Sequence, residues 1–209
     1  MARFNLAIIG LGFLMVVLVG ARTGHPGWDW GRKYPVTHRG KCQEEPKLWP
    51  NGVVLYTMDP RFTRSERKMI KAAMRHIEHH TCIFFCHSHR HGLRKTLHIT
   101  FGVGCSSKVG YRPLGTEMRL GVPCFVKVGT VVHELLHSLG LHHEHQRFDS
   151  HRYIKINFNC IKRGHERNFM PQSKTRVLSA GIPYDYDSIL HYGRHTYSKR
   201  RRCRTIQPL

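Results

Sequence analysis

The segment VVHELLHSLGLHHEHQRF concentrates the side chains of this sequence that are best suited to bind a metal ion. His133 and His137 are four residues apart, so on a helix both imidazoles project from one face and can share an ion. Glu134 then flanks the ion without having to bind it, and it can accept a proton from a water molecule. Gly140 allows the helix to end in a left-handed residue. After that turn, the chain can return His143 as a third ligand.

Three neutral imidazole ligands leave a fourth coordination position for water, which is the arrangement of a catalytic zinc ion rather than of a closed structural site. The chain contains 18 histidines and 19 glycines among its 209 residues. At that composition, the pattern H-E-x-x-H-x-x-G-x-x-H arises by chance in about four of every ten thousand chains. Chance is therefore a poor explanation. His142 and His145 are additional histidines to which we assign no ligand role.

The periodicity of apolar residues predicts the elements that hold this segment in place. Residues 63–80 are predicted to form a helix, in which Thr63 caps the first turn with Glu66 three residues later. The apolar face of this helix consists of Ile70, Ala73, Met74 and Ile77. Strands are predicted over residues 53–58, 96–101 and 118–122. Strands, a long helix, more strands and a second helix indicate an α+β fold.

The first residues of the chain differ in composition from the rest. A positive charge in MARFN precedes the unbroken apolar run LAIIGLGFLMVVLV and small residues up to Ala21. This pattern predicts a secretory signal peptide, residues 1–21. A membrane anchor is the competing interpretation, but the run is shorter than the roughly 18 residues that span a bilayer. Residues 22–41 are interpreted as a leader or short pro-segment, and residues 42–209 as one domain.

Charge and cysteine content narrow the class of protein further. The chain has 34 Lys and Arg against 13 Asp and Glu, a net charge of +21. Such a charge indicates either a solvated basic surface or attraction to acidic glycans, anionic membranes or acidic substrates. Seven cysteines in an exported chain imply disulfides. Because the number is odd, at least one thiol is free or pairs with another chain.

The sequence around and beyond the histidine pattern resembles a known family. The pattern is the metzincin signature, and HELLHSLGLHHEHQRFDSHRYIKI resembles the astacin family of zinc endopeptidases, with Glu144 and Arg147 at family positions after the third histidine. Other segments resemble astacin landmarks in the same order: LWPNGVVLYTM, TCIFF, GCSSKVGYR, INFNCIKRGHERNF and PYDYDSILHY. The resemblance covers residues 48–209.

The resemblance implies a zincin-like α+β fold. Its N-terminal subdomain would hold a twisted mixed sheet and two long helices, its C-terminal subdomain would be mostly irregular, and a zinc cleft would lie between them. The zinc ligands would be His133, His137 and His143, with Glu134 as general base. Tyr192 matches the family tyrosine that binds zinc in the resting enzyme and stabilises the tetrahedral intermediate. The alternative for Tyr192 is a buried aromatic residue beside the site.

Two further roles are implied by the resemblance alone. Glu144 matches the residue that contacts the amino terminus of the mature enzyme after the pro-segment is removed. Cys105 and Cys124 match the bridge through the sheet segment before the zinc helix.

The sequence departs from the family pattern in two places. Leu190 stands where the family has the methionine of the Met-turn, which forms an apolar floor under the metal. The chain also stops at SKRRRCRTIQPL, so we expect a domain truncated at its C-terminus, without the usual final helix and cysteine. In the family Cys82 would pair with that cysteine, which leaves Cys203 as the only nearby substitute. Cys42, Cys86 and Cys160 have no assigned partner.

We therefore expect a secreted, extracellular zinc metalloendopeptidase with one Zn²⁺ per chain. Its substrates would be proteins or peptides in extended conformation, hydrogen-bonded to the strand near Met118 to Val122. Acidic glycans are candidate partners of the basic surface, while specific nucleic-acid binding and stable membrane insertion are not expected. The alternative is a catalytically impaired, strongly basic secreted protein that binds acidic glycans, membranes or metal.

Overall fold

The computed structural model describes residues 48–88, 94–173 and 182–209. The predicted signal peptide and leader therefore lie outside the described residues. The chain divides into two compact units, with the boundary after Gly140. Among the described residues, no helix is both long enough and apolar enough to cross a membrane.

The first unit is built on a five-stranded mixed sheet. Its strands are β1 (Val53–Met58), β2 (Phe84–His87), β3 (Leu97–Phe101), β4 (Cys105–Ser107) and β5 (Thr116–Leu120). They are arranged in the order β2-β1-β3-β5-β4. All neighbouring pairs are parallel except β4 and β5, which are antiparallel. The sheet is therefore mixed, as the resemblance implied.

Two α-helices accompany this sheet in the described residues: α1 (Arg64–His80) and α2 (Val128–Ser138). Thr63 and Glu66 form the predicted capping box, which satisfies amide groups at the start of α1. The predicted apolar face is buried: Ile70, Ala73, Met74 and Ile77. The two helices contact each other. The predicted start and the predicted apolar face of α1 are thus confirmed.

The second unit contains little regular structure. Two short strands, β6 (Ile154–Ile156) and β7 (Ile206–Pro208), form an antiparallel pair. Four short 3₁₀ turns lie between residues 144 and 169, and the other described residues of this unit form turns, bends and irregular chain. Its core is a cluster of buried side chains: Ile154, Ile161, Phe169, Tyr184 and Ile206. A small core of this kind benefits from a covalent cross-link.

Two disulfides are present in the described part of the chain. Cys105 pairs with Cys124, as the resemblance implied. Cys160 pairs with Cys203, so the expectation that Cys203 substitutes as the partner of Cys82 was wrong. The physical reason is the antiparallel bridge between Ile161 and Ser198, which brings the flanking segments together.

The expectation for the substrate strand also needs correction. The predicted strand near Met118 to Val122 is observed as β5, which has a neighbour on each side, β3 and β4. Its main-chain groups are therefore engaged within the sheet. The edge strand on this side is β4, which was not predicted as a strand.

Asp59 connects the ends of β1 and β3. Its carboxylate accepts hydrogen bonds from the Arg61 side chain, at 2.7 Å to the nearest nitrogen, and from the Phe101 amide at 3.2 Å. Its own amide donates to the Ile99 carbonyl at 2.9 Å. The hydrogen bond from Arg61 is the main reason that the pKa of Asp59 lies well below its usual range.

We expect Asp59→Asn to lower the free energy of unfolding at pH 7 by about 1 kcal/mol. A carboxyl group whose pKa is lower in the folded than in the unfolded state stabilises the fold above its unfolded pKa, near 4, and this contribution is lost as the pH falls further. The difference in melting temperature between wild type and variant should therefore narrow below pH 4. Thermal unfolding from pH 3 to 7 measures this difference in melting temperature, and Asp187→Asn is the control for an exposed aspartate. A difference in melting temperature that stays constant from pH 3 to 7 would show that the charged form of Asp59 does not stabilise the fold.

Candidate metal centre and active site

Helix α2 carries the first two predicted ligands and the predicted base. Its apolar side chains Val131, Val132, Leu135 and Leu136 are buried. Three polar residues are also buried, Glu134 at 5% and His137 at 6% exposure and Ser138 completely, while His133 is half-buried. Buried polar groups are costly unless they have partners, so their presence in this helix indicates a functional role.

The C-terminal end of α2 is fixed by hydrogen bonds to its last carbonyl groups. The buried indole of Trp49 donates to the Ser138 carbonyl at 2.8 Å. The amides of Gly110 and Gly140 both donate to the His137 carbonyl, each at 2.9 Å. Gly140 has φ +110°, so the predicted glycine turn is confirmed. These contacts hold the helical turn that carries His137 and determine where the chain leaves the helix.

The three predicted histidines are brought together by this arrangement. The Nε2 atoms of His133 and His137 are 3.0 Å apart, with their rings nearly perpendicular. Including His143, each histidine offers a nitrogen, and these nitrogens all lie within 4.8 Å of one another. Two nitrogens bound to one tetrahedral zinc at about 2.0–2.1 Å are roughly 3.3 Å apart, which the pair on α2 approaches. His142 is not in this group.

The chemistry of Glu134 also fits a zinc site that activates water. Its Oε2 atom is buried and has no hydrogen-bond partner in the part of the chain that is described. Burial raises the pKa of this carboxyl group to about 7. A buried carboxylate oxygen without a protein partner is well suited to accept a hydrogen bond from a water molecule. The residues present therefore fit a zinc ion and a water that reacts beside it.

In the second unit, the ring of Tyr192 is surrounded by other aromatic rings. It stacks on His145 at 4.1 Å between centroids and contacts His143 at 4.5 Å. Phe169 and Tyr197 complete the surroundings at 5.6 and 5.8 Å. The predicted catalytic tyrosine is thus held beside the predicted third histidine ligand.

His145 was not assigned a role from the sequence. Its ring is fully buried and lies beneath the other rings of this set, stacked on Tyr192. Its Nε2 donates to the Asn168 carbonyl at 2.9 Å, and the side-chain amide of Gln146 donates to the same carbonyl at 3.1 Å. Burial lowers the pKa of His145 to about 4, so the ring is neutral. Nothing in the sequence distinguishes this histidine from the exposed ones, because the pattern HHEHQ does not encode which rings are buried.

Arg147 organises the chain that follows the third histidine. It is buried, and its guanidinium donates to Glu144 at 2.9 Å and to both carboxylate oxygens of Asp149 at 2.9 Å. It also donates to the carbonyls of Ile182 and Pro183. A buried arginine with every partner in place fixes several segments at once.

The two remaining family positions lie within the same unit. Glu144 accepts a hydrogen bond from the Asp185 amide at 3.1 Å, while burial raises the pKa of its carboxyl group. Its predicted partner, the mature amino terminus, lies outside the described residues. Leu190 is buried at 3% exposure, and its carbonyl accepts from the Glu144 amide at 3.0 Å.

Comparison with known proteins agrees with this geometry. The profile of the astacin peptidase family matches residues 41–209. Tolloid-like protein 1 of Homo sapiens is 40% identical over 172 residues, which are 81% of this chain and 17% of that protein. Tolloid-like protein 2 of Homo sapiens is 38% identical over 181 residues, which are 83% of this chain and 17% of that protein. The chain thus spans less than a fifth of the length of these relatives.

A solved structure is similar as well. High choriolytic enzyme 1, a hatching enzyme zinc-protease from Oryzias latipes, superposes with a TM-score of 0.72 at 30% sequence identity. The superposition covers 81% of this chain and 85% of that one. Since the family profile covers most of the sequence and the three histidines converge as the family signature requires, this chain belongs to the astacin family of zinc metallopeptidases.

Proposed function

We propose that this chain is a secreted zinc-dependent endopeptidase that hydrolyses peptide bonds in proteins. The observation that carries the proposal is the combination of three converging histidine nitrogens with the buried Oε2 atom of Glu134, which has no hydrogen-bond partner among the described residues. Bound zinc would polarise the scissile carbonyl and make a water molecule more acidic. The protein's part in the reaction is to position the reactants and move the proton.

Glu134 is the residue proposed to move that proton. It accepts the proton from the attacking water and delivers it to the departing amine, which leaves the carboxylate ready for the next cycle. The hydroxyl group of Tyr192 donates a hydrogen bond to the oxygen that becomes negative in the tetrahedral intermediate. The packing of the Tyr192 ring on His145 and His143 supports a fixed position for this donor.

The substrate is proposed to bind in extended conformation along the edge of the first unit's sheet. Strand β4 pairs with β5 on one side only, so the main-chain groups on its other side are available to a peptide. Such pairing depends on the peptide backbone and tolerates many side chains. This proposal moves the substrate strand from β5, where the sequence predicted it, to β4.

Secretion is proposed from two independent features. Residues 1–21 have the composition of a signal peptide and precede the part of the chain that matches the family profile. The disulfides Cys105–Cys124 and Cys160–Cys203 require an oxidising compartment in which to persist. The leader between the signal peptide and residue 42 would be removed on activation. A role restricted to binding, without catalysis, finds no observation in its favour at the histidine site.

The central test is Glu134→Gln in the zinc-loaded protein, after trypsin has removed the leader. We expect at least a hundredfold lower kcat on a denatured protein substrate, because general base catalysis contributes about 10²–10⁴-fold. The zinc content should stay near one per chain, since Glu134 is not a ligand. A chelator should abolish cleavage by the wild type, and added zinc should restore it.

The matched control is Glu166→Gln, which removes an equal charge from a residue outside the group of His133, His137 and His143 and should leave activity unchanged. Full activity in Glu134→Gln would contradict the assigned role. An inactive wild-type chain that is folded and loaded with zinc would favour the binding role instead.

A second test concerns His145 as a positioning residue for Tyr192. His145→Ala removes the stacked ring, and we expect about tenfold lower kcat with little change in KM, because a misplaced group is costly in the transition state. His145→Phe retains a stacked ring, and Gln146 still satisfies the Asn168 carbonyl, so kcat should stay within about threefold of wild type.

The Tyr192→Phe background separates positioning from general damage. There the hydroxyl group is already absent, so His145→Ala should lower kcat no further. Equal losses from His145→Ala in both backgrounds would show that His145 does not act through Tyr192.

A third test addresses the leucine at the Met-turn position. Leu190→Met should raise the free energy of unfolding by less than about 1.5 kcal/mol, because the exchange nearly conserves volume. The affinity for zinc should change by less than about threefold, since this side chain does not bind the metal. Thermal unfolding and competition with a chromogenic chelator measure the two quantities. A many-fold higher zinc affinity would show that the residue at this position does more than pack beneath the metal.

A further inference from the structure

The second unit carries a dense group of exposed basic side chains, which we call the cationic patch. Five of the six residues from Lys199 to Arg204 are Lys or Arg. Two more basic residues lie on the segment that pairs with this run. The patch consists of Lys162, Arg163, Lys199, Arg200, Arg201, Arg202 and Arg204, all of which are exposed.

The two segments of the patch are held side by side by the backbone. The Lys162 amide donates to the Tyr197 carbonyl, and the Lys199 amide donates to the Cys160 carbonyl, each at 2.8 Å. The disulfide between Cys160 and Cys203 links the same segments, with their Cα atoms 5.4 Å apart. Charges that are far apart in the sequence are therefore adjacent in the fold.

The basic run itself is also ordered by hydrogen bonds. The Ser198 hydroxyl lies 2.6 Å from the Cys203 carbonyl oxygen, and the Cys203 amide donates to the Arg200 carbonyl at 3.0 Å. Beyond it, the Thr205 amide donates to the Arg194 carbonyl at 2.8 Å. A preorganised backbone reduces the entropy lost on binding, because mainly side chains are left to become ordered.

Among the residues that the structure describes, no acidic side chain forms an ion pair with the patch. Within the described ranges, the ion pairs of the structure involve Arg61, Arg119 and Arg147, and none includes a patch residue. The acidic residue nearest in sequence is Glu166, which accepts a hydrogen bond from the Gly164 amide. Unpaired, closely spaced cations repel one another, and binding of a polyanion relieves that repulsion.

We propose that the cationic patch is a binding site for sulfated glycosaminoglycan chains. Five of its seven cations are arginines, whose planar guanidinium groups bind tetrahedral oxyanions through paired hydrogen bonds. A sulfated glycan repeats such oxyanions along one chain, so it can engage both segments of the patch at once. This is a specific site, in contrast to the general attraction that the net charge of the whole chain would produce.

The surroundings favour sulfated glycans over other polyanions. The Cys160–Cys203 disulfide at the centre of the patch belongs to an oxidising, extracellular setting, where such glycans occur. Anionic lipids are concentrated instead on the cytoplasmic leaflet of membranes. The proposal rests on the proposed secretion of the chain but not on its peptidase activity. Glycan binding at this site would retain the enzyme near its protein substrates.

The experiment compares two variants that lose the same charge. Arg200→Gln/Arg201→Gln/Arg202→Gln removes three charges from the patch, while Lys68→Gln/Lys71→Gln/Arg75→Gln removes three exposed charges from α1. Binding of both zinc-loaded variants and of wild type to a heparin fragment of fixed length is measured by calorimetry at several salt concentrations. Hyaluronan, which carries carboxylates without sulfates, and vesicles containing phosphatidylserine serve as the comparison polyanions.

We expect the patch variant to bind heparin at least tenfold more weakly at about 0.15 M salt and the α1 variant less than threefold more weakly. The slope of log K against log salt should become shallower by about two to three for the patch variant alone. Cleavage of a short soluble peptide should be unchanged in both variants, so failure of the peptidase proposal would leave this test intact. Equal weakening by the two variants, or binding to hyaluronan or vesicles as tight as to heparin, would overturn the proposal.

Discussion

One helix readily offers a metal ion two imidazoles from successive turns, and a third ligand then comes from another segment. In this chain, that segment is the one that follows the helix after a turn. The first unit of this protein is arranged to provide that turn at the end of α2. Trp49 and Gly110 hold the terminal carbonyls of the helix, and Gly140 adopts the positive φ at which the chain turns. His143 follows three residues later and places its nitrogen with those of His133 and His137. Trp49, which precedes β1, and Gly110, which lies between β4 and β5, therefore fix where this helix ends.

In the second unit, side chains are held in place with little regular secondary structure. Arg147 binds two carboxylates and two carbonyls. This single buried cation therefore joins segments that, in a sheet, would be joined by backbone hydrogen bonds. Contacts between aromatic rings also position side chains in this unit, since Tyr192 is packed among His143, His145 and other rings. Such packing fixes the plane of the Tyr192 ring. The disulfide and the short β6–β7 pair stabilise the small core beneath.

The parts of this structure that depend on local spacing could be predicted from the sequence. The capping box of α1, its apolar face, the paired histidines of α2 and the turn at Gly140 follow from rules that operate over a few residues. Features that depend on which distant segments meet could not be predicted. The position of β4 at the sheet edge, the Cys160–Cys203 bridge and the burial of His145 all belong to this class. His145 is fully buried, whereas its sequence neighbours His142 and His143 are only partly buried.

The proposed chemistry requires that one zinc ion is bound by the imidazoles of His133, His137 and His143, with a position left for water. Zinc K-edge X-ray absorption on the purified, zinc-loaded chain measures the ligands directly. We expect three imidazole nitrogens at about 2.0–2.1 Å together with a light oxygen ligand. The exposed cysteines Cys82 and Cys86 provide the clearest alternative chemistry. Sulfur ligands at about 2.3 Å, or fewer than three imidazoles, would contradict the proposed metal centre.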